Sequence, residues 1–374
     1  MSDRRGALLL ADGRFGSTWA KTAHGLVRGP SRYPIAAVID ASRSSADGGS
    51  LETAPDAGTV LDGVARGIPI LPSVEAALAV LDPRPAVAVV GIATEGGVPT
   101  PELRKSLLAA ARSGLDLVNG LHRPLADDPE IASAVAAGGG TILDFRRPRP
   151  VSELRFWSGE ILASKTPRIA ILGTDCAVGK RTTAVALVGA LAALGLRAEL
   201  VTTGQTGWLQ GFRHGFLFDA TPNDFVAGEL EGAILACERD TDPDLVLIEG
   251  QASLRHPAGP AGSELLVSAA AHGVVLQHAP GREFYDEYES LGRRLPPLGD
   301  EIDLIERYGV EVWAVTINPE GLAPRGSSAV RDLLADEVKR PVFLPLDGDL
   351  EALATAVADR LRTQARTLGV GPAR

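Results

Sequence analysis

Short apolar runs ending on a polar or acidic residue recur along the whole chain, and they alternate with segments of helical spacing. Pro34–Asp40 reads Pro-Ile-Ala-Ala-Val-Ile-Asp, Ala86–Ile92 reads Ala-Val-Ala-Val-Val-Gly-Ile, and Leu245–Glu249 reads Leu-Val-Leu-Ile-Glu. Runs without inside–outside alternation read as strands buried on both faces, and the intervening helices are what covers them. The pattern predicts an α/β protein with parallel sheets. In such sheets ligands bind beyond the carboxyl ends of the strands.

The pattern is written twice. In the first half the expected strands are Ala7–Ala11, Pro34–Asp40, Ile68–Leu71, Ala86–Ile92, Leu115–Val118 and Thr141–Asp144. Helices are expected over Lys21–Val27, from a Ser73 cap through Leu81, over Pro101–Ser113 and around Pro129–Ala137. Asp40–Gly58 reads as a polar loop. The basic run Arg146–Pro150 marks a boundary, so domains 1–150 and 151–374 are expected. That division suits a chain of 374 residues, since one domain typically holds about 100–200. In the second half the strands are Arg168–Gly173, Ala198–Thr202, Leu245–Glu249, Val274–His278, Glu311–Ile317 and Val342–Leu344. The helices are Arg181–Leu194, Asp224–Glu238, Glu264–Ala271, Ala329–Glu337 and Leu350–Thr363.

Charge separates the halves. Residues 1–150 carry 16 basic and 16 acidic side chains, so the net −10 belongs entirely to the remainder. An acidic chain argues against a general nucleic-acid binder, which needs a basic face. Two cysteines, Cys176 and Cys237, exclude a disulfide scaffold, and no His or Cys spacing suits zinc, so no metal is expected. No apolar run reaches the ~18 residues that span a bilayer. The short apolar stretch within Met1–Ala11 does not read as a signal peptide. A cytoplasmic protein acting on small molecules is expected, with a second copy of itself as partner.

The sharpest motif lies between an expected strand and an expected helix. It comprises Gly173, Thr174, Asp175, Cys176, Ala177, Val178, Gly179, Lys180, Arg181, Thr182 and Thr183. Glycines let the backbone N–H groups turn inward, the helix N-terminus adds partial positive charge, and Lys180 adds a full one. Such a loop cradles phosphates. Five residues separate Gly173 from Gly179, where the simple pattern has four. That spacing matches the Gly-Thr-Asp-x-x-Val-Gly-Lys form of dethiobiotin synthetase-like loops. Cys176 inside it reads as a small filler. ATP, GTP and the phosphates of coenzyme A all fit.

A second cluster follows the strand Leu245–Glu249. Glu249 sits at its tip, and Gln251, Ser253, Arg255 and His256 come directly after. Thr202–Trp208, with Gln205, reads as a ligand-contacting loop. His278 and Arg282, in His278-Ala-Pro-Gly-Arg282, read as an anion-binding turn, although Arg282 reads equally as a salt-bridge residue.

Together these residues resemble the DgcN-like family of D-glutamate N-acetyltransferases. The resemblance rests on Gly173-Thr-Asp-Cys-Ala-Val-Gly-Lys180, Glu249-Gly-Gln-Ala-Ser-Leu-Arg-His-Pro257, His278-Ala-Pro-Gly-Arg282 and Asn318-Pro-Glu-Gly-Leu322. Lys21–Leu26, Ile92–Gly97 and Gly120–His122 look like that family's N-terminal domain. The sequence departs from the pattern at Ala252, where Gly is usual, at Arg181, where an apolar residue is usual, and around Ser42–Gly49. The resemblance implies a Rossmann-like domain followed by a phosphate-loop domain. It implies acetyl transfer from acetyl-CoA to the amine of D-glutamate or a related amino acid. On that reading the loop holds acetyl-CoA, and Glu249 or His256 removes a proton from the amine. Ser253 or a nearby N–H steadies the oxyanion. Gln205, Gln251, Arg255, His278 and Arg282 contact substrate. The competing readings are an ATP- and Mg-dependent ligase or kinase, for which Thr182 and Glu249 would serve the metal, and a non-enzymatic nucleotide sensor.

Overall fold

The computed structural model describes residues 6–45, 50–323 and 326–367, with side chains described through residue 364. The start of Met1–Ala11 and part of the Asp40–Gly58 loop, including half of the Ser42–Gly49 departure, lie outside the described residues. The chain divides into two compact units. One comprises residues 1–149 with Gln205–Gly211, and the other 150–204 with 212–374.

The first unit carries β1 (Ala7–Leu10), β2 (Ile35–Ile39), β3 (Ile70–Leu71), β4 (Val87–Val90), β5 (Asp116–Asn119) and β6 (Ile142–Asp144). They form one sheet in the order β3-β2-β1-β4-β5-β6, and every pairing is parallel. That is the doubly wound order of dinucleotide-binding domains, with its switch point between β1 and β4. The strands are short and apolar throughout, and Leu8, Leu9 and Leu10 are fully buried between helix layers. Helix starts follow capping chemistry. The Ser73 side chain accepts the N–H of Ala76, and Thr100 accepts that of Leu103 ahead of Pro101. Asp12 and Asp40 stand just past the ends of β1 and β2, where such sheets carry polar chemistry.

Gln205–Leu209 forms a short helix where the sequence suggested a loop. Its contacts within the first unit explain this. Thr206 Oγ1 meets Thr22 Oγ1 at 2.9 Å, and Gln210 Nε2 donates to Gly25 O at 3.1 Å. The Trp208 ring stacks on Phe145 with centroids 4.5 Å apart, while the Arg32 guanidinium covers it at 4.1 Å.

The second unit holds β7 (Arg168–Gly173), β8 (Ala198–Val201), β9 (Leu245–Glu249), β10 (Gly273–His278), β11 (Val312–Ile317) and β12 (Val342–Phe343). The order is β12-β11-β10-β7-β9-β8, again all parallel. Alternate residues of the central strands enter separate cores. Ala170, Leu172, Val246 and Ile248 pack on one face, and Ile169, Ile171, Leu245 and Leu247 on the other. Both faces are covered, as the uninterrupted apolar runs required. The helix read over Glu264–Ala271 is shorter, at Ser263–Val267. A helix over Leu298–Arg307, absent from the sequence reading, buries Ile302 and Ile305 in the first of these cores.

The phosphate loop as candidate functional site

β7 is the centre of the second sheet, flanked by β9 and β10. Its carboxyl end runs through residues 173–179 into the helix Lys180–Ala193. Gly173 has no room for a side chain, since a Cβ would lie 2.9 Å from both Lys180 Cδ and Val178 Cγ2. Gly179 sits at φ +108°, a conformation glycine adopts without strain. It precedes the helix, and no side chain caps the first turn. A helix start of this kind offers its N–H groups to an anion.

The cation of the loop is buried. Lys180 Nζ donates to the carbonyl of Asp175 at 2.6 Å and to that of Ala252 at 2.7 Å. Loop shape is also held by Asp175, which is fully buried. Its Oδ1 accepts the Cys176 N–H at 2.7 Å. Its Oδ2 accepts from Arg282 Nη1 at 3.0 Å and from the Asp286 N–H at 2.9 Å. Arg282 also donates to Cys176 O at 2.8 Å. This guanidinium therefore braces the loop from outside, and neighbouring carboxylates hold its pKa above the usual value despite burial. On the inner side Thr174 N–H donates to Gln277 O at 3.0 Å, and Thr183 Oγ1 to Gln277 Oε1 at 2.6 Å. Val178 is fully buried, Ala177 adopts φ +51°, and Thr182 lies in the first helical turn.

The histidines differ in role. His278 Nδ1 lies 3.0 Å from Thr174 Oγ1, and burial drops its pKa to about 4, so it is neutral at pH 7. His256 is buried edge-on against the rings of Tyr285 and Tyr288. Its Nδ1 accepts the Ala258 N–H at 3.3 Å, which places the proton of the neutral ring on Nε2. That Nε2 faces Asp175 Oδ1 at 3.6 Å. In this arrangement the ring presents a donor, not a base, towards the loop. A donor atom each from Asp175, Cys176 and His256 lie within 4.8 Å of one another, a metal-sized grouping. The donors already on both oxygens of Asp175 oppose metal ligation there. Cys176 is half-buried, whereas Cys237 is buried with its thiol pushed up to about 12.

Glu249, at the tip of β9, accepts the Thr203 N–H at 3.1 Å on Oε2 and faces Arg181 Nη1 at 3.4 Å on Oε1. Gln251 Nε2 donates to Thr203 Oγ1 at 2.8 Å. Ala252 adopts φ +37°, which explains why glycine suits that position. Arg255 is tied to Glu301, with Nε 2.7 Å from Oε2. Ser253 is buried, and among the described residues its hydroxyl has no hydrogen-bond partner.

The second unit thus gathers Gly173 to Thr183, Glu249, Gln251, Ser253, Arg255, His256, His278 and Arg282 around the carboxyl ends of β7, β9 and β10. Gln205 groups with the first unit. Sequence reasoning passed over Gln277, which braces the loop from β10, and Glu301, which holds Arg255. Gln277 is a polar residue inside an apolar run, a signal that was there to be read.

Comparison with known proteins places these features. Residues 155–354 match the model of a domain of unknown function, the DUF1611 C-terminal P-loop domain, and residues 52–148 match its N-terminal Rossmann-like domain. A protein of Tritonibacter scottomollicae named D-glutamate N-acetyltransferase is 35% identical over 195 residues, covering 52% of this chain and 56% of that protein. A protein of the same name from a Pseudoalteromonas species is 27% identical over 272 residues, covering 71% and 79%. The match to the first of these spans little more than half of that relative's length. The crystal structure of a DUF1611 family protein from Anabaena variabilis matches with a TM-score of 0.83 at 30% identity, covering 95% of this chain and all of that one. The chain belongs to the DUF1611 family, with a Rossmann-like N-terminal domain and a P-loop C-terminal domain.

Proposed function

We propose that this protein is an N-acetyltransferase that moves an acetyl group from acetyl-CoA to the amine of D-glutamate or a closely related amino acid. The reading is carried by the two relatives that bear the name D-glutamate N-acetyltransferase. The loop supports it chemically. Backbone N–H groups at an uncapped helix start, with Lys180 beside them, suit the phosphates of coenzyme A. His256, whose Nδ1 accepts the Ala258 N–H, turns its Nε2 towards Asp175 at the loop.

The ligase reading asks Glu249 and Thr182 to serve Mg²⁺. Arg181 faces Glu249 on one oxygen and the Thr203 N–H occupies the other. A guanidinium at that carboxylate opposes a second cation. The geometry therefore favours the transferase.

The test is turnover of purified protein with acetyl-CoA and D-glutamate. Release of free thiol together with N-acetyl-D-glutamate supports the reading. L-Glutamate and ATP-Mg²⁺ serve as comparators. ADP release coupled to amine consumption establishes the ligase instead, and absence of turnover with every amino acid overturns an acyltransferase.

A further inference from the structure

The residue after the loop lysine decides what a phosphate loop does with a metal. In the simple pattern a Ser or Thr stands there. Its hydroxyl holds Mg²⁺ beside the phosphates, and an acid at a neighbouring strand end supports the ion. Here that residue is Arg181, in the first turn of the helix Lys180–Ala193. The hydroxyls come one and two residues later. Thr182 is turned about 100° round the helix from the metal-holding position. Thr183 is buried, and its hydroxyl donates to Gln277 Oε1 at 2.6 Å, an oxygen that also accepts from Thr316 Oγ1 at 2.7 Å.

The acid is engaged as well. Glu249 is 3% exposed at the tip of β9, which pairs directly with β7. Its Oε2 accepts the Thr203 N–H, and its Oε1 faces Arg181 Nη1 at 3.4 Å. A buried carboxylate needs a cation, and this one has a guanidinium where the fold's metal would be. Among the described residues Glu249 belongs to no cluster of three His, Cys, Asp or Glu groups that could hold an ion. The residues therefore do not fit a divalent cation. The hydroxyl is displaced, the acid is paired, and the place already carries positive charge.

Arg181 can do more than pair the acid. At 3.4 Å its contact with Glu249 is long for a hydrogen bond, and the side chain is 19% exposed. A guanidinium holds five N–H donors in a fixed fork that matches phosphate oxygens. Donors thus remain for an anion at the helix start. Gln277 adds another. Its oxygen is spent on two threonines, which leaves its amide nitrogen on the side of Gly179, 3.8 Å from where a Cβ on that glycine would lie.

We propose that this loop takes the phosphates of its ligand without a divalent cation, with Arg181 standing in the place of the ion. The inference rests on the transferase reading for the identity of that ligand, the diphosphate of coenzyme A, and adds a reason for it. A guanidinium brings a single positive charge, less than Mg²⁺ brings. That suits a diphosphate esterified at both ends, with one negative charge per phosphorus, better than a terminal phosphate carrying about two.

The test is calorimetric titration of the purified protein with coenzyme A, and with ADP as comparator, in EDTA and in Mg²⁺. The wild type is expected to bind coenzyme A with affinities that agree within about twofold in the two conditions. Arg181→Met is expected to bind at least about tenfold more weakly in both. Arg181→Thr, which restores the hydroxyl after the lysine, is expected to be as weak in EDTA and to regain affinity in Mg²⁺. Circular dichroism checks folding. Should Arg181→Met fail to fold because Glu249 has lost its cation, Arg181→Met combined with Glu249→Gln is compared with Glu249→Gln alone, and the same loss is expected. Three outcomes overturn the inference and leave the transferase reading standing: coenzyme A bound only with Mg²⁺, bound as tightly by Arg181→Met as by the wild type, or gaining nothing from Mg²⁺ in Arg181→Thr. ADP bound in EDTA through Arg181, with no binding of coenzyme A, overturns the transferase reading and keeps the inference. Binding of neither overturns both.

Discussion

Lys180 and Ala252 are joined by a hydrogen bond of 2.7 Å, from the buried ammonium to a main-chain carbonyl of the loop after β9. The same ammonium reaches Asp175 O, so one side chain ties the phosphate loop to the neighbouring strand tip. Lys180→Met should therefore raise the KM of the phosphate-bearing donor by about ten- to a hundredfold, the worth of one charged hydrogen bond at roughly 1.5–3 kcal/mol. Lys180→Arg should not restore it, because a planar guanidinium cannot place one point charge between two carbonyls in this space. Steady-state kinetics with varied donor decides. An unchanged KM in Lys180→Met would remove the lysine from donor binding.

The strand-tip loop around Ala252 makes two opposite predictions for small residues. A Cβ on Gly250 would lie 2.3 Å from Ile171 O, a backbone atom of β7 that cannot swing aside. Gly250→Ala should cost about 1–3 kcal/mol of stability, as overpacking does. Ala252, at φ +37°, already carries a Cβ in the left-handed region. Ala252→Gly should stabilise by roughly 0.5–1 kcal/mol, the relieved strain less the added freedom of the unfolded chain. Urea unfolding of the two variants checks both signs.

Where a residue's neighbours in sequence decide its environment, it was legible. Arg168–Gly173 and Leu245–Glu249 are strands with those bounds because uninterrupted apolar runs must be covered on both faces. The phosphate loop was legible for a similar reason, since its glycines, lysine and flanking elements are contiguous. Partnerships across the chain were not. Arg282 could be read as an anion site or as a salt-bridge residue, but its partner, Asp175, 107 residues away, could not be named. Arg255 looked like a carboxylate hook, yet it is held by Glu301 on a helix that went unread. That helix follows Pro296 and Pro297 and is crowded with acids, which masked the Ile302–Ile305 spacing. Gln205–Leu209 misled differently. Gly-Gln-Thr-Gly has turn chemistry, and contacts to Thr22 and Phe145 make it a helix.

Two histidines, His278 buried and His272 half-buried, set the acid side of stability. Burial lowers His278 and His272 to about 4 each, with Arg168 adding to the effect at His272. His272 Nδ1 also accepts the Arg168 N–H at 3.2 Å, a bond that requires the neutral ring. In the unfolded chain both take up a proton near pH 6.5, so between 6.5 and 4 the unfolded state binds more protons. The stabilisation is complete above pH 6.5 and is lost as pH falls towards 4. Each histidine should contribute a slope of up to about 1.4 kcal/mol per pH unit within that window. His278→Gln should remove one of the two, measured as a shallower fall of unfolding free energy between pH 6.5 and 4.5. An unchanged slope would mean that His278 does not titrate on unfolding.

Asp12 should act in the opposite direction. It stands past the end of β1 at φ +39°, accepts from Ser106 Oγ at 2.6 Å on Oδ1, and among the described residues has no partner for the buried Oδ2. Burial, with smaller contributions from Asp40 and Glu102, lifts its pKa from 3.8 to about 7. Between those values the folded state holds a proton that the unfolded state has released, so stability falls as pH rises through this window and levels off above 7. Asp12→Asn removes the ionisation, keeps an oxygen for Ser106, and tolerates the left-handed backbone. The variant should match the wild type near pH 4 and gain stability progressively up to pH 7, holding that gain at pH 8. Thermal midpoints at pH 4.5, 6 and 8 supply the test. A gain independent of pH would point to the backbone, and no gain at pH 8 would mean that Asp12 is ionised in the fold at little cost.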